Sequence, residues 1–182
     1  NNEQMLTLPQ QNCPKQWPPE KGPWKESRSQ VVRSVGRWSA GTKTESSTHQ
    51  AYCDLIQDSK HFIYIENQFF CSGLEGDSQI GNRVLEALFR RIVKAHEQND
   101  DRFHVVIVLP LLPALEGQLC QANAKLPVFR VMHAQYCTLR GLRSQLRGRD
   151  VDETKYVSIF GLRTHGVLPD LGPATEQIYI HS

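Results

Sequence analysis

In the stretch Ile63-Tyr64-Ile65-Glu66-Asn67-Gln68-Phe69-Phe70 an apolar strand runs directly into a carboxylate, two carboxamides and two aromatic rings. Core packing has no use for three consecutive polar side chains, and sealing them away unpaired is costly. Open α/β sheets bind ligands at the carboxyl ends of their strands, so Glu66, Asn67 and Gln68 are candidates to face one. Glu66 can orient a histidine or accept a substrate hydrogen bond, and the amides can fix neighbouring loops. Direct substrate contact and support of other site residues both stay open on this reading. The plain alternative is an Asx-type turn after a strand. A second apolar strand, Ile178-Tyr179-Ile180, ends in His181-Ser182, a titratable group in the corresponding place. Two strand ends of one sheet would converge on one site.

The surrounding elements must position these groups. Alternation of Phe62 and Tyr64 against Ile63 and Ile65 predicts a strand buried on both faces. A short strand at Gln30–Ser34, a loop through Trp38–Gly41 and a capping box, Ser47-x-x-Gln50, are expected before it. That box opens a helix carrying Ala51, Tyr52, Leu55 and Ile56. After a Gly-rich turn at Ser72–Asp77, a helix over Ile80–His96 collects Val84, Leu85, Leu88, Phe89, Ile92 and Val93 on one face. Arg83, Glu86, Arg90 and Lys94 take the other. The β-branched run Val105–Leu109, ended by Pro110, reads as a central strand. A long loop, Leu111–Leu126, leads to a helix begun by Pro127 and carried by Val128, Val131, Met132 and Leu139. Strands are expected at Tyr156–Phe160 and Gln177–Ile180. This alternation predicts an α/β fold, a mixed β-sheet sandwiched by helices, over residues 30–182, after an irregular Pro-rich lead-in over residues 1–29.

Composition narrows the function classes. The 21 basic and 19 acidic residues are interspersed and leave a net charge of +2, too little to imply a nucleic-acid partner. Cys13, Cys53, Cys71, Cys120 and Cys137 are scattered, with no metal-ligand spacing, which suits a reduced compartment. No glycine-rich phosphate loop follows a strand, which argues against a nucleotide-binding domain. The most apolar run, Val105–Leu112, is broken by Pro110 and too short to cross a bilayer, so any membrane contact is expected to be peripheral. Arg140, Arg143, Arg147 and Arg149 form a local basic cluster that suits either an anionic membrane surface or a solvated helix face. His49, His61, His96 and His104 read as structural, and His133 and His165 have no assigned chemistry.

The block Tyr64-Ile65-Glu66-Asn67-Gln68-Phe69-Phe70 resembles the signature of eukaryotic phospholipase D. Further blocks agree: Arg33-Ser34-Val35, Trp38-Ser39-Ala40-Gly41, His49 with Ala51-Tyr52, Asn82-Arg83, Ala95-His96, Pro110-Leu111-Leu112-Pro113, Met132-His133 and Gly161-Leu162-Arg163-Thr164-His165. Together they look like the members that carry PX and PH domains, over about residues 30–182. The resemblance implies a pseudo-symmetric catalytic domain whose site joins two His-x-Lys-x-x-x-x-Asp motifs. His181-Ser182 matches the first two positions of the second motif. The remaining Lys and Asp are expected after Ser182 and the first motif before Asn1, so the chain is expected to be a fragment of the catalytic domain, inactive alone.

The same resemblance implies hydrolysis of phosphatidylcholine to phosphatidic acid and choline through a phosphohistidine, with transfer to primary alcohols. His181 takes the acid role toward the leaving alcohol and then becomes the base for the incoming hydroxyl. Neither a metal nor another cofactor is required. The implied partners are a phospholipid membrane surface, with phosphatidylcholine as substrate and phosphoinositides as a further contact, and the rest of the catalytic domain. A cytoplasmic protein, peripheral on membranes, follows. The alternative is a catalytically silent relative that binds phosphoinositide membranes or protein partners. Two segments depart from the family pattern: residues 114–124, and the shortened segment after Tyr136, with Cys137 where an arginine is common.

Overall fold

The computed structural model describes residues 29–113, 115 and 127–177. Its elements lie in a unit spanning Val32–Ser182. They are β1 (Ser34–Val35), α1 (Arg37–Ala40), β2 (Glu45–Ser46), α2 (Ser47–Asp58), β3 (Phe62–Glu66), α3 (Val84–Glu97), β4 (His104–Val108), α4 (Pro127–Arg147), α5 (Glu153–Tyr156), β5 (Val157–Phe160), β6 (Arg163–Leu168) and β7 (Gly172–Gln177). The α/β class expected from the sequence holds, with parallel and antiparallel strands and helices. β3, β4 and β5 form a parallel sheet in that order, while β1–β2 and β6–β7 are antiparallel ribbons.

The parallel register aligns Ile65 with Ile107 and Ile107 with Ile159, so one face of the sheet presents a row of aliphatic side chains. α3 connects β3 to β4, and α4 lies in the connection from β4 to β5. α2 packs on α3, and α3 on α4. The core forms between that sheet face and these helices, with Leu88, Ile92, Val105, Ile107 and Leu146 fully buried. β4 is the central strand the β-branched run predicts.

β3 corrects the expectation of a strand buried on both faces. Phe62 is 68% exposed and Tyr64 53%, whereas Ile65 is 7% exposed. β3 lies at the sheet edge among the described residues, and its second face, shared with Phe160, is open. An apolar run suits either situation, since aromatic side chains are compatible with a half-covered pleated surface.

Four local expectations also change. The strand expected at Gln30–Ser34 is only Ser34–Val35, and the loop through Trp38 is a helical turn, α1, closed by Gly41 in the left-handed region at φ 67°. The capping box at Ser47 does not form. The N-cap of α2 is Ser46, the Ser47 hydroxyl accepts from the Arg33 amide at 2.9 Å, and Gln50 donates to Asp54 at 2.8 Å. Arg83 does not sit on a solvated helix face. Its guanidinium donates to the carbonyls of Leu74, Asp77 and Ile80 at 2.7 to 3.0 Å and closes the loop between β3 and α3 around itself. Gly73 is required there, because a Cβ would stand 2.5 Å from that guanidinium and 2.7 Å from the Ile80 carbonyl oxygen.

The β6–β7 hairpin is absent from the expected elements. Of the strand expected at Gln177–Ile180, Gln177 closes β7 and the rest lies outside the described residues.

Candidate active site

β3 delivers the polar block to the carboxyl end of the parallel sheet, and the strand's alternation divides it. Ile65, Asn67 and Phe69 line a cavity of about 230 Å³, together with His49 of α2 and Ser72 and Asn82 of the loop that follows. Glu66 is not among the lining residues. It is exposed on the open sheet face, where the Tyr64 hydroxyl donates to its Oε2 at 2.6 Å. That bond to a carboxylate holds the Tyr64 phenol in its protonated form, with its pKa above the usual value. Gln68 is half-buried. The three consecutive polar residues therefore do not share one cavity. Asn67 and Glu66 serve opposite sides of the strand end.

The cavity wall is held by hydrogen bonds from distant elements. The Asn67 amide donates to the Val108 carbonyl at 3.2 Å, extending the β3–β4 ladder one residue past Glu66. The Phe70 amide donates to the Gln135 side chain on α4 at 3.1 Å, and Phe70 itself is 4% exposed, a core side chain. The Ser72 amide donates to the Thr138 hydroxyl at 3.1 Å, and the Asn82 side chain donates to the Cys71 carbonyl at 2.7 Å.

Helix α3 begins at this wall without a cap of its own. The Arg83 amide donates to Nε2 of His49 at 2.9 Å, and the Leu85 amide donates to the Ser72 hydroxyl at 2.9 Å. Two of the orphan donors of a helix N-terminus are thus satisfied from other elements. Accepting at Nε2 fixes the neutral His49 ring with its proton on Nδ1. This residue, read as structural from its helix position, does structural work and lines the cavity as well. Nothing in the local sequence signals the structural partner, the Arg83 amide, because it is 34 positions away.

The nearby sulfur groups are poor nucleophiles. Burial pushes the thiols of Cys71 and Cys53 above their ordinary pKa, which keeps them protonated. Among the described residues no three His, Cys, Asp or Glu side chains converge to hold a metal ion. What the cavity offers a ligand is amide donors and acceptors, one neutral imidazole and an aromatic wall. A carboxylate waits on the far side of the strand.

His104 is hydrogen-bonded to the Lys155 carbonyl and the Ser158 hydroxyl, each at 2.9 Å, and His165 to Thr175 at 2.9 Å. His181 and Ser182 lie outside the described residues, as do most of residues 114–124. No described helix is long and apolar enough to cross a membrane.

The family model described as phospholipase D matches residues 26–166. The chain is 51% identical over 171 residues to phospholipase D zeta 2 of Arabidopsis thaliana, covering 88% of this chain and 16% of that protein. It is 44% identical to phospholipase D2 of Bos taurus over 84% of this chain and 16% of the relative. Against phospholipase D1 of Homo sapiens the identity is 41%, over 84% of this chain and 14% of the relative. The chain thus spans about a sixth of the length of these curated relatives. With its polar block at the sheet's carboxyl end and this identity over most of its length, the chain belongs to the phospholipase D family.

Proposed function

We propose that this chain is part of the catalytic domain of a PX-PH type phospholipase D, which hydrolyses phosphatidylcholine to phosphatidic acid and choline. The observation that carries the reading is the block Tyr64–Phe70, set at the carboxyl end of a parallel sheet beside a cavity, in a chain of this family. A phosphodiester is anionic and resists attack, so its cleavage needs a nucleophile, an acid for the leaving alcohol and donors for the phosphoryl oxygens.

In this proposal a histidine of the other half-domain attacks phosphorus and forms a phosphohistidine as the choline oxygen departs. His181 gives that oxygen its proton. The same imidazole then takes a proton from water, or from a primary alcohol, which attacks phosphorus and releases the first histidine. Glu66 is proposed to orient the imidazole or the substrate, Asn67 to donate to polar groups of the lipid, and Gln68 to hold the adjoining loop. The outer edge of β3, unpaired among the described residues, and the open face carrying Phe62 and Tyr64 are consistent with further layers of the same domain covering them. The protein would act on membranes as a peripheral cytoplasmic enzyme.

The test is to supply the complete protein with phosphatidylcholine vesicles and ethanol and to measure phosphatidic acid and phosphatidylethanol. Formation of both supports the proposal. Binding to vesicles with neither product would identify a silent relative and overturn it.

A further inference from the structure

Three of the five cysteines fall among the described residues, and their surroundings differ. Cys53 is buried and Cys71 half-buried, and that burial keeps both protonated. Cys137 is exposed on α4. Its sulfur lies 3.8 Å from each nitrogen of the His133 ring, which stands one turn earlier on the same side of the helix. One turn later stands Arg140, also exposed. Cys137 is a departure from the family pattern, in which an arginine is common at this place, so the pattern does not account for the thiol.

The charge around this thiol has one sign. α4 carries Arg130, Arg140, Arg143 and Arg147 and no carboxylate along its 21 residues. Arg147 is answered from α5, its Nε donating to the Glu153 carboxylate at 3.1 and 3.2 Å. Arg140 has no hydrogen-bond or ion-pair partner among the described residues. With Arg143 it lines a groove of about 650 Å³ between α4 and β5, over an apolar floor of Leu139 and Ile159. Arg149, of the same basic cluster in sequence, lies elsewhere, its guanidinium 5.9 Å from the centre of the Phe89 ring. The thiolate is the reacting form of cysteine, and exposed thiols beside imidazole and guanidinium groups are the ones that react. An imidazole in contact can take the thiol proton, and guanidiniums a turn away can hold the carboxylates of an incoming reagent. Nucleophile, base and anion-binding groups thus come together on one helix.

We propose that Cys137 is a modification site for the disulfide of an anionic low-molecular-weight thiol, of the glutathione class. His133 accepts the thiol proton. The Cys137 thiolate attacks one sulfur of the reagent, the new S–S bond forms as the reagent's own S–S bond breaks, and the departing thiolate takes the proton from the imidazolium. Arg140 and Arg143 pair with the reagent's carboxylates and steer it to the sulfur. Excess reduced thiol reverses the exchange. The same helix supplies Gln135 and Thr138 to the loop after β3, so the mixed disulfide adds charge to the element that holds the wall of the candidate site. The site does not depend on catalysis at the polar block.

Mass spectrometry of the complete protein tests this. The protein is treated with glutathione disulfide or with cystamine, a disulfide that carries ammonium groups in place of carboxylates, and each cysteine is followed in time. Rates are taken relative to those of a neutral cysteine peptide with the same reagent. Mixed disulfide is expected at Cys137, with Cys53 and Cys71 unmodified. Glutathione disulfide should be preferred over cystamine at least about fivefold, the attraction of one unit charge at contact in water. Arg140→Gln/Arg143→Gln should abolish that preference. His133→Gln should instead slow both reagents alike, by about tenfold, since an unassisted thiol is only a few per cent ionised at neutral pH. Absence of mixed disulfide at Cys137, or reaction of Cys53 or Cys71 at the same rate, overturns the proposal. So does a preference that survives the arginine substitutions, or a rate unchanged in His133→Gln.

Discussion

Thr138→Val should loosen the loop that follows β3 while leaving its shape intact. Thr138 is 3% exposed and its hydroxyl accepts the Ser72 amide at 3.1 Å, while lying 2.9 Å from the Ala134 carbonyl and 3.2 Å from the Ser72 carbonyl. Valine has the same outline but neither donor nor acceptor. The Ser72 amide, in a residue 4% exposed, would then be buried without a partner. An orphaned buried donor costs about 1–3 kcal/mol, so the local opening free energy should fall by about 2 kcal/mol. That corresponds to about 30-fold faster amide exchange at Ser72, since 1.36 kcal/mol is about tenfold. Hydrogen exchange followed by mass spectrometry on a peptide containing Ser72 measures it, and Thr138→Ser should restore most of the protection. If Thr138→Val exchanges as slowly as the unaltered protein, the hydroxyl does not tether the loop and the reasoning fails.

Arg91, 6% exposed, stacks its guanidinium 3.7 Å from the centre of the Phe103 ring and donates to the Ser59 carbonyl at 2.8 Å. Arg91→Ala loses both and leaves a cavity, so thermal denaturation should show a loss of about 3 kcal/mol, and an unchanged melting temperature would contradict this packing. Glu153 is hydrogen-bonded to the Arg147 guanidinium, which holds its carboxyl below the usual range. As pH falls, the unfolded chain takes up this proton first. The stabilisation is full above the ordinary glutamate pKa of about 4.3 and is lost as pH drops through the lowered folded value. Stability measured against pH should therefore separate Glu153→Gln from the unaltered protein above that range and bring them together in acid; a constant gap would argue against the pair.

The sequence made some elements legible and hid others for identifiable reasons. α3 and β4 were readable because their patterns are strong: Leu85, Leu88 and Ile92 recur at helical spacing, and Val105–Val108 is β-branched throughout. The edge position of β3 was not, because Phe62 and Tyr64 read the same whether covered or open. The start of α3 was obscured since its amide partners, His49 and Ser72, are supplied by other elements. Ser47 looked like a cap and instead ties Arg33 to Glu45. The β6–β7 hairpin hides in a stretch with two glycines, two prolines and exposed side chains along β6, where no apolar alternation marks a strand. At the site, the block Glu66-Asn67-Gln68 was legible as chemistry. Its division between two sides of the strand depends on which face the helices cover, and that is settled by the topology of the whole sheet.

His181 is proposed as the acid and base of a phosphodiester exchange. The direct measurement is turnover of phosphatidylcholine vesicles in the presence of ethanol by the complete protein and by its His181→Ala variant, with vesicle binding measured in parallel. One imidazole serving both half-reactions predicts that phosphatidic acid and phosphatidylethanol fall together, by at least ~100-fold, with vesicle binding retained. Near-normal formation of either product by the folded variant would contradict the account.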